Sequence, residues 1–281
     1  MKIAFLSCDD LSSYVVDDNY LFDALKAEWP ELQYDVVSWS ESKINWSTYD
    51  AAVLRTTWDY THKRDLFLAT LENIENSGCR VFNPIEIIKW NSHKSYMKAL
   101  NKSGVSIIES YFLDEETVAT LNSKLSDDRN YVLKPIVGAS AESIQILSKA
   151  DLLQAISNLT KPSDWFIQPF MPEVLEGERS IFYFNSKFSH ACKKVPKDGD
   201  FRVQEEHGGL ITSYIPESSE LEFSEMALKA IGQNLLYSRI DFLKTKSGPQ
   251  LIELELIEPS LYFRTDRQSA SNFVSALKTL S

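Results

Sequence analysis

The sequence predicts an α/β (α+β) protein: an open α/β layer over residues 1–88, followed by two α+β units over 89–165 and 166–281. Three observations predict it. Strand-like and helix-like segments alternate through the first part of the chain. The middle part mixes short strands with helices, and the last part is rich in strands with two long helical stretches. Near the C-terminus, two alternating segments flank a turn and form a hairpin pattern.

Taken in order, Lys2–Ser7, Gln33–Trp39 and Ala51–Arg55 read as strands, and Arg80–Asn83 as a short fourth before Pro84. Tyr20–Trp29 and Asp65–Ser77 read as helices, the second closed by Gly78. No glycine-rich dinucleotide fingerprint follows the first strand, so a nicotinamide cofactor is not expected there. Ser92 can cap a helix that runs through Ser103 and stops at Gly104. Strands at Val105–Ile108, Tyr131–Pro135 and Ser143–Leu147 follow, with helices near Glu115–Leu125 and Lys149–Leu159. The last unit has a strand at Trp165–Phe170, a long helix near Ser219–Tyr237 and a closing helix near Asp266–Leu280. Pro196–Asp200 reads as a loop.

The chain has 281 residues, 43% of them hydrophobic and 25% charged, as in an ordinary globular protein. Its net charge of −11 argues against general nucleic-acid binding, which needs a basic footprint. No apolar run approaches the ~20 residues of a membrane span. The acidic pair Asp9-Asp10 after the first apolar stretch argues against a signal peptide. Three cysteines without paired spacing (Cys8, Cys79, Cys192) suit the reducing cytoplasm and read as small core residues.

The chemistry concentrates in the hairpin. Residues i and i+2 of a strand share a face, so Arg239 and Asp241 point one way, as do Glu253 and Glu255. The opposite side is expected to carry Ile252, Leu254 and Leu256. Like charges on one face repel unless a cation sits among them. Hard oxygen ligands favour magnesium or calcium. A half-solvated acidic strand is the plain alternative. Upstream lie Lys94 on the helix from Ser92, Lys134 at a strand end, and the small-residue run Gly138-Ala139-Ser140-Ala141, which can bring backbone N–H groups to an anion. The apolar strand with Gln168-Pro169-Phe170, and Glu176-Gly177-Glu178, complete the order.

That order resembles the ATP-grasp superfamily over residues 90–260. The resemblance implies ATP held between two α+β subdomains behind a preceding α/β layer. It implies that Lys94, Lys134 and the loop from Gly138 through Ala139 and Ser140 to Ser143 contact phosphates. Gln168, Pro169 and Phe170 would face adenine and Glu178 the ribose. Asp241, Glu253 and Glu255 match the Mg2+ ligands, with Mn2+ also compatible, and Arg239 the arginine at the transferred phosphate. Glu255 stands where the family commonly has asparagine, so Glu258 is an alternative ligand. The loop also has a single glycine where many members have several.

Arg55-Thr-Thr-Trp-Asp-Tyr60, Asn83-Pro84, Trp90-Asn91, Glu176–Ser180, Phe188–Ala191 and Glu253–Leu261 resemble glutathione-synthetase-like members, especially the cyclo-ligase group that closes the D-cycloserine ring. The resemblance implies a Mg-ATP-dependent ligase acting on a small carboxylate or carbonyl substrate, by ligation to an amine or by cyclisation. A nucleotide-binding protein without turnover and a kinase-like transfer are the alternatives, and a homodimer is left open.

On the substrate side, Arg55 with Trp58 and Asp59 suits a carboxylate clamp. The plain alternative pairs Arg55 with Asp59 and packs Trp58 and Tyr60 between units. Asp9, Asp10 and Asp17 either hold a substrate amine or form a solvated loop. By resemblance Arg202 lies near the acyl phosphate. His62, His190 and His207 read as structural, and Lys193 and Lys194 as solvated.

Overall fold

The computed structural model describes residues 1–138 and 143–281. Its first layer is a parallel sheet of β1 (Lys2–Ser7), β2 (Gln33–Ser38), β3 (Ala51–Thr56) and β4 (Arg80–Phe82), in the order β2-β1-β3-β4. Helices α1 (Asp18–Glu28) and α2 (Arg64–Asn76) connect the strands. Strand β3 is buried at every residue, as expected of a parallel strand covered on both faces.

Two short helices, α3 (Ile85–Asn91) and α4 (Tyr96–Lys102), replace the single helix expected from Ser92. Ser92 ends α3: its hydroxyl donates to the Lys89 carbonyl (2.9 Å) and accepts from Arg64 (2.8 Å). Lys94 therefore lies in the turn between the helices. Its backbone N–H bonds the distant Ile136 carbonyl at 3.0 Å, which diverts it from a helical partner.

The second sheet comprises β5 (Tyr111–Phe112), β6 (Tyr131–Pro135), β7 (Gln145–Leu147) and β8 (Trp165–Pro169), in the order β5-β8-β6-β7 and antiparallel throughout. It is backed by α5 (Glu115–Lys124), capped by Asp114, and α6 (Lys149–Ser157), capped by Ser148. The expected strand at Val105–Ile108 is one parallel bridge, Ile107 to Leu251, which covers a short stretch of the third sheet's edge.

The third sheet is antiparallel, with β9 (Glu178–Phe184), β10 (Lys187–Val195), β11 (Leu210–Ser213), β12 (Tyr237–Thr245) and β13 (Gly248–Glu255) ordered β11-β10-β9-β12-β13. Helix α7 (Ser218–Ile231) starts in a capping box of Glu217 and Glu220. It stops earlier than expected because Gly232 adopts a left-handed conformation (φ 73°). Helix α8 (Ser269–Leu280) returns to the first layer. Its Phe273, Val274 and Leu277 share a core with Ile3, Phe5 and Leu25 and with Phe184 of β9. Each such large side chain contributes about 1.5–3 kcal/mol by leaving water, so the first layer and the third sheet are joined by a common apolar core.

Candidate active site

The site begins in the β12–β13 register, which pairs Arg239 with Glu255 and Asp241 with Glu253. All four charged side chains line one cleft. A bulge after Asp241 pairs Phe242 with Leu251 and leaves Ile252 as the extra residue. Ile252 therefore lines the cleft without joining the apolar core, whereas Leu254 and Leu256 belong to that core and Leu254 also reaches the cleft. The expectation that Ile252 shares their side is corrected by that bulge.

Neighbouring strands supply partners. From β9, the Ser180 hydroxyl donates to Asp241 Oδ1 at 2.6 Å. From β10, Lys194 lies opposite Glu178 in register, pairs with its carboxylate, and reaches Asp241 Oδ2 at 3.1 Å. Arg239 also bonds Asp241 (3.0 Å) and pairs with Glu255, while Lys94 pairs with Glu253. Lys194 was expected to be solvated. It is buried because β10 turns His190, Cys192 and Lys194 inward. The cue was the i, i+2 spacing of Lys194 from Cys192 and His190.

Burial and partners set the proton affinities. Burial would raise the Asp241 carboxyl, but Arg239 and Lys194 outweigh it and hold the group down at about 2. Glu178 is pushed up to about 7 by burial, with Lys194 opposing. Glu255 rises to about 7, through burial and against Arg239. Glu258 rises to about 8, through burial and then through Glu255 and Glu253.

The opposite wall comes from the second sheet. Lys134 Nζ donates to Gln168 Oε1 at 2.8 Å, and Gln168 Nε2 donates to the Ser110 hydroxyl at 2.9 Å, so the amide orients the lysine. Burial brings Lys134 down to about 8, with Lys94 adding to the effect and Glu253 opposing it. Pro169 and Phe170 line this end, and the Phe170 N–H is bonded to the Asn130 carbonyl (2.9 Å). Gly138 lies on the wall, where a Cβ would meet Pro135 Cγ at 3.0 Å. Ser143 has a φ of 60°. Ala139 and Ser140 lie outside the described residues.

Arg202 is on the wall with its guanidinium turned to Asp200 (2.7 Å). Trp58 is on the wall too. Its indole N–H donates to the Glu258 carbonyl at 2.9 Å and its ring packs on Tyr14. Arg55 and Asp59 are not on the wall. Arg55 is buried in an ion pair with Asp18 (2.8 Å) and bonds the Pro259 carbonyl, while Asp59 accepts from the Trp39 indole at 2.7 Å. Arg55 is committed inside the fold, so a direct carboxylate clamp there is corrected to a structural ion pair whose partner is Asp18 rather than Asp59, while Asp59 is half-buried with one oxygen on the indole. Asp9, Asp10 and Asp17 are likewise off the wall, with Asp17 paired to Arg264.

Among the described residues, no three His, Cys, Asp or Glu side chains are gathered as a metal's ligand set. Arg239, Lys94 and Lys194 stand between the carboxylates instead. Glu253 and Glu255 are hard donors whose side chains keep 32% and 25% exposure, which fits a cation arriving from the cleft. Asp241 is 2% exposed and both its oxygens are engaged.

The pattern of the family "Prokaryotic glutathione synthetase, ATP-grasp domain" matches residues 110–266, more than half of the chain. The chain belongs to that ATP-grasp family, and it is an ATP-grasp ligase. A second pattern, the N-terminal domain of D-cycloserine synthetase DcsG, matches residues 3–83. The cycloserine biosynthesis protein DcsG of Streptomyces lavendulae is 25% identical, over 86% of this chain and 87% of that one. A glutathione synthetase of Prochlorococcus marinus is 27% identical over 57% of this chain and 50% of its own length. The crystal structure of D-cycloserine synthetase DcsG superimposes with a TM-score of 0.86 at 22% identity, covering 100% of both chains. The D-alanine–D-alanine ligase of Bacillus anthracis complexed with ATP gives 0.68 at 14% identity, over 99% of this chain and 96% of that one. These superpositions establish the ATP-grasp fold.

Proposed function

We propose that the protein uses Mg-ATP to activate a small carboxylate as an acyl phosphate and then joins that carbonyl to nitrogen. The observation that carries this reading is the convergence of Lys94, Lys134, Arg239 and the hairpin carboxylates on one cleft between the second and third sheets. In this reading Gln168, Pro169 and Phe170 border the base and Glu178 takes the ribose. Lys134, Lys94 and the segment beginning at Gly138 hold the phosphates. Arg202 lies at the substrate end.

A carboxylate is a poor electrophile. Its oxygen attacks the γ-phosphorus, and the bond to ADP breaks with its electron pair leaving on ADP. An N–H nitrogen then attacks the carbonyl carbon, the C–O bond breaks with its electron pair leaving on phosphate, and the nitrogen gives up its proton to the departing phosphate or to water. Both steps need positioning and charge neutralisation rather than an enzyme nucleophile. Arg239 neutralises the transferred group, and its bond to Asp241 fixes the guanidinium plane. Glu253 and Glu255, with Asp241 behind them, would hold magnesium, which supplies charge neutralisation to the nucleotide phosphates when bound.

The match of residues 3–83 to the N-terminal domain of DcsG supports the sharper form of this reading, intramolecular closure of an amino-acid derivative. The test is ADP release with Mg-ATP against amino acids, dipeptides and O-ureidoserine, with mass detection of products. Substrate-dependent ADP and a condensed or cyclised product are expected. ATP binding without ADP across the panel would move the reading to a nucleotide-binding protein without turnover.

A further inference from the structure

The segment after β13 has no regular structure, yet side chains hold its backbone at every step. The carbonyls of Leu256, Ile257, Glu258, Pro259, Ser260 and Leu261 accept, in order, from Asn83, Tyr237, Trp58, Arg55, Arg239 and His190. Three of these donors come from the first unit and its borders, and three from the third sheet. The path of the segment is thereby set, and Glu258 is presented to the cleft.

The Glu258 residue is only 8% exposed and lines the cleft. Among the described residues its carboxylate has no hydrogen-bond or ion-pair partner beyond its own backbone N–H, and Lys94, already paired with Glu253, favours its charged form only from farther off. The other buried acids there differ. Asp241 has Arg239 and Lys194, Glu255 has Arg239, Glu253 has Lys94 and Glu178 has Lys194. Of the remaining wall cations, Lys134 is bonded to Gln168 and Arg202 to Asp200. A buried carboxylate without a close cation is costly, so burial holds Glu258 largely protonated near neutral pH, and an ammonium arriving beside it would favour its charged form. Trp58 and Tyr60 also line the cleft, Trp58 through an indole bonded to the Glu258 carbonyl, and an acid near aromatic rings is recognition chemistry for an ammonium group.

We propose that Glu258 is the residue that binds the amino group of the amino-acid substrate. This rests on the ligase reading above. The anchored segment keeps Glu258 apart from the hairpin carboxylates, which already have cations, and gives the cleft an acceptor that a hydroxy acid or an N-acylated analogue satisfies poorly. Selectivity then arises at this acid, because only a ligand that brings a cation gains an ion pair with it.

The experiment compares serine, alanine and O-ureidoserine with glycerate, lactate and N-acetyl-O-ureidoserine, in the wild type and in Glu258→Gln. Readouts are ADP release, ATP Kd and Mn2+ binding. The wild type is expected to release ADP only with free amines. Glu258→Gln should keep its ATP and Mn2+ affinities while KM for the amine substrate rises about 10- to 100-fold, the scale of a charge-assisted hydrogen bond. Glu258→Asp should recover part of that loss, and its circular dichroism shows whether the fold survives. Equal ADP release with amine-free acids would overturn the assignment and leave the ligase reading standing. Loss of Mn2+ binding in Glu258→Gln with KM unchanged would also overturn it, making the residue a metal ligand. Failure of the wild type to bind Mg-ATP would instead remove the ligase reading itself.

Discussion

The charged face of β12–β13 and the segment from Leu256 to Leu261 are neighbours in the chain with opposite arrangements. On the hairpin, the ladder takes care of the backbone and each charged side chain has an ion-pair partner, with Lys94 and Lys194 reaching in from outside. In the segment, distant side chains take care of the backbone and Glu258 is left open. The difference separates two uses of buried charge. Paired charges hold a surface ready for a polyanion, whereas an unpaired one selects what enters beside it.

The contrast is broken most severely inside the hairpin. Asp241→Ala leaves Arg239 and Lys194 without the buried carboxylate they share, and is expected to cost about 3–5 kcal/mol in urea unfolding. Glu253→Ala removes a partly exposed group and should leave the melting temperature near that of the wild type. Its turnover should fall about 10²- to 10³-fold, as for the loss of one electrostatic stabiliser. Equal destabilisation by the two variants, or full turnover in Glu253→Ala, would refute the distinction.

A second effect tests the far end of the anchored segment. His190 is buried, stacks on Phe182 at 4.2 Å and donates from Nε2 to the Leu261 carbonyl. Burial lowers its pKa from 6.5 to about 4, so the fold disfavours the charged ring. The unfolded chain takes up the proton first, so this contribution is fully present above pH 6.5 and is lost as pH falls towards 4. It amounts to about 3 kcal/mol. His190→Gln should lack that dependence, and the gap between the two unfolding curves should narrow on acidification. Parallel curves from pH 7 to 4 would show that His190 does not carry it.

The smallest effect lies on the opposite wall. Lys134, brought down to about 8 by burial, loses its charge as pH rises through that value. ATP affinity should therefore weaken up to about 10-fold between pH 7 and 9, and Lys134→Met should flatten the dependence. An equally steep curve in the variant would assign the titration elsewhere.

The hairpin was legible in the sequence because strand alternation and its turn are local signals. Arg239, Asp241, Glu253 and Glu255 emerge on one face from spacing alone. The displacement of Ile252 was hidden, since a bulge is set by pairing across strands. The break at Ser92 was hidden for a similar reason: Lys94 bonds Ile136, far along the chain. Lys194 looked like a surface residue until β10 was placed against β9. Arg55 looked like a ligand clamp because a strand-end arginine beside aromatics has the right chemistry, and only the position of Asp18 shows it to be occupied.

The anchored segment also ties distant parts of the chain together. Arg55 and Pro259 are 204 residues apart, Trp58 and Glu258 are 200 apart, and Asn83 and Leu256 are 173 apart. Contacts of that span close only after the intervening chain has paid its loop entropy. The wall presenting Glu258 thus depends on the first unit and the third sheet being in place together, which the hairpin's local ladder does not.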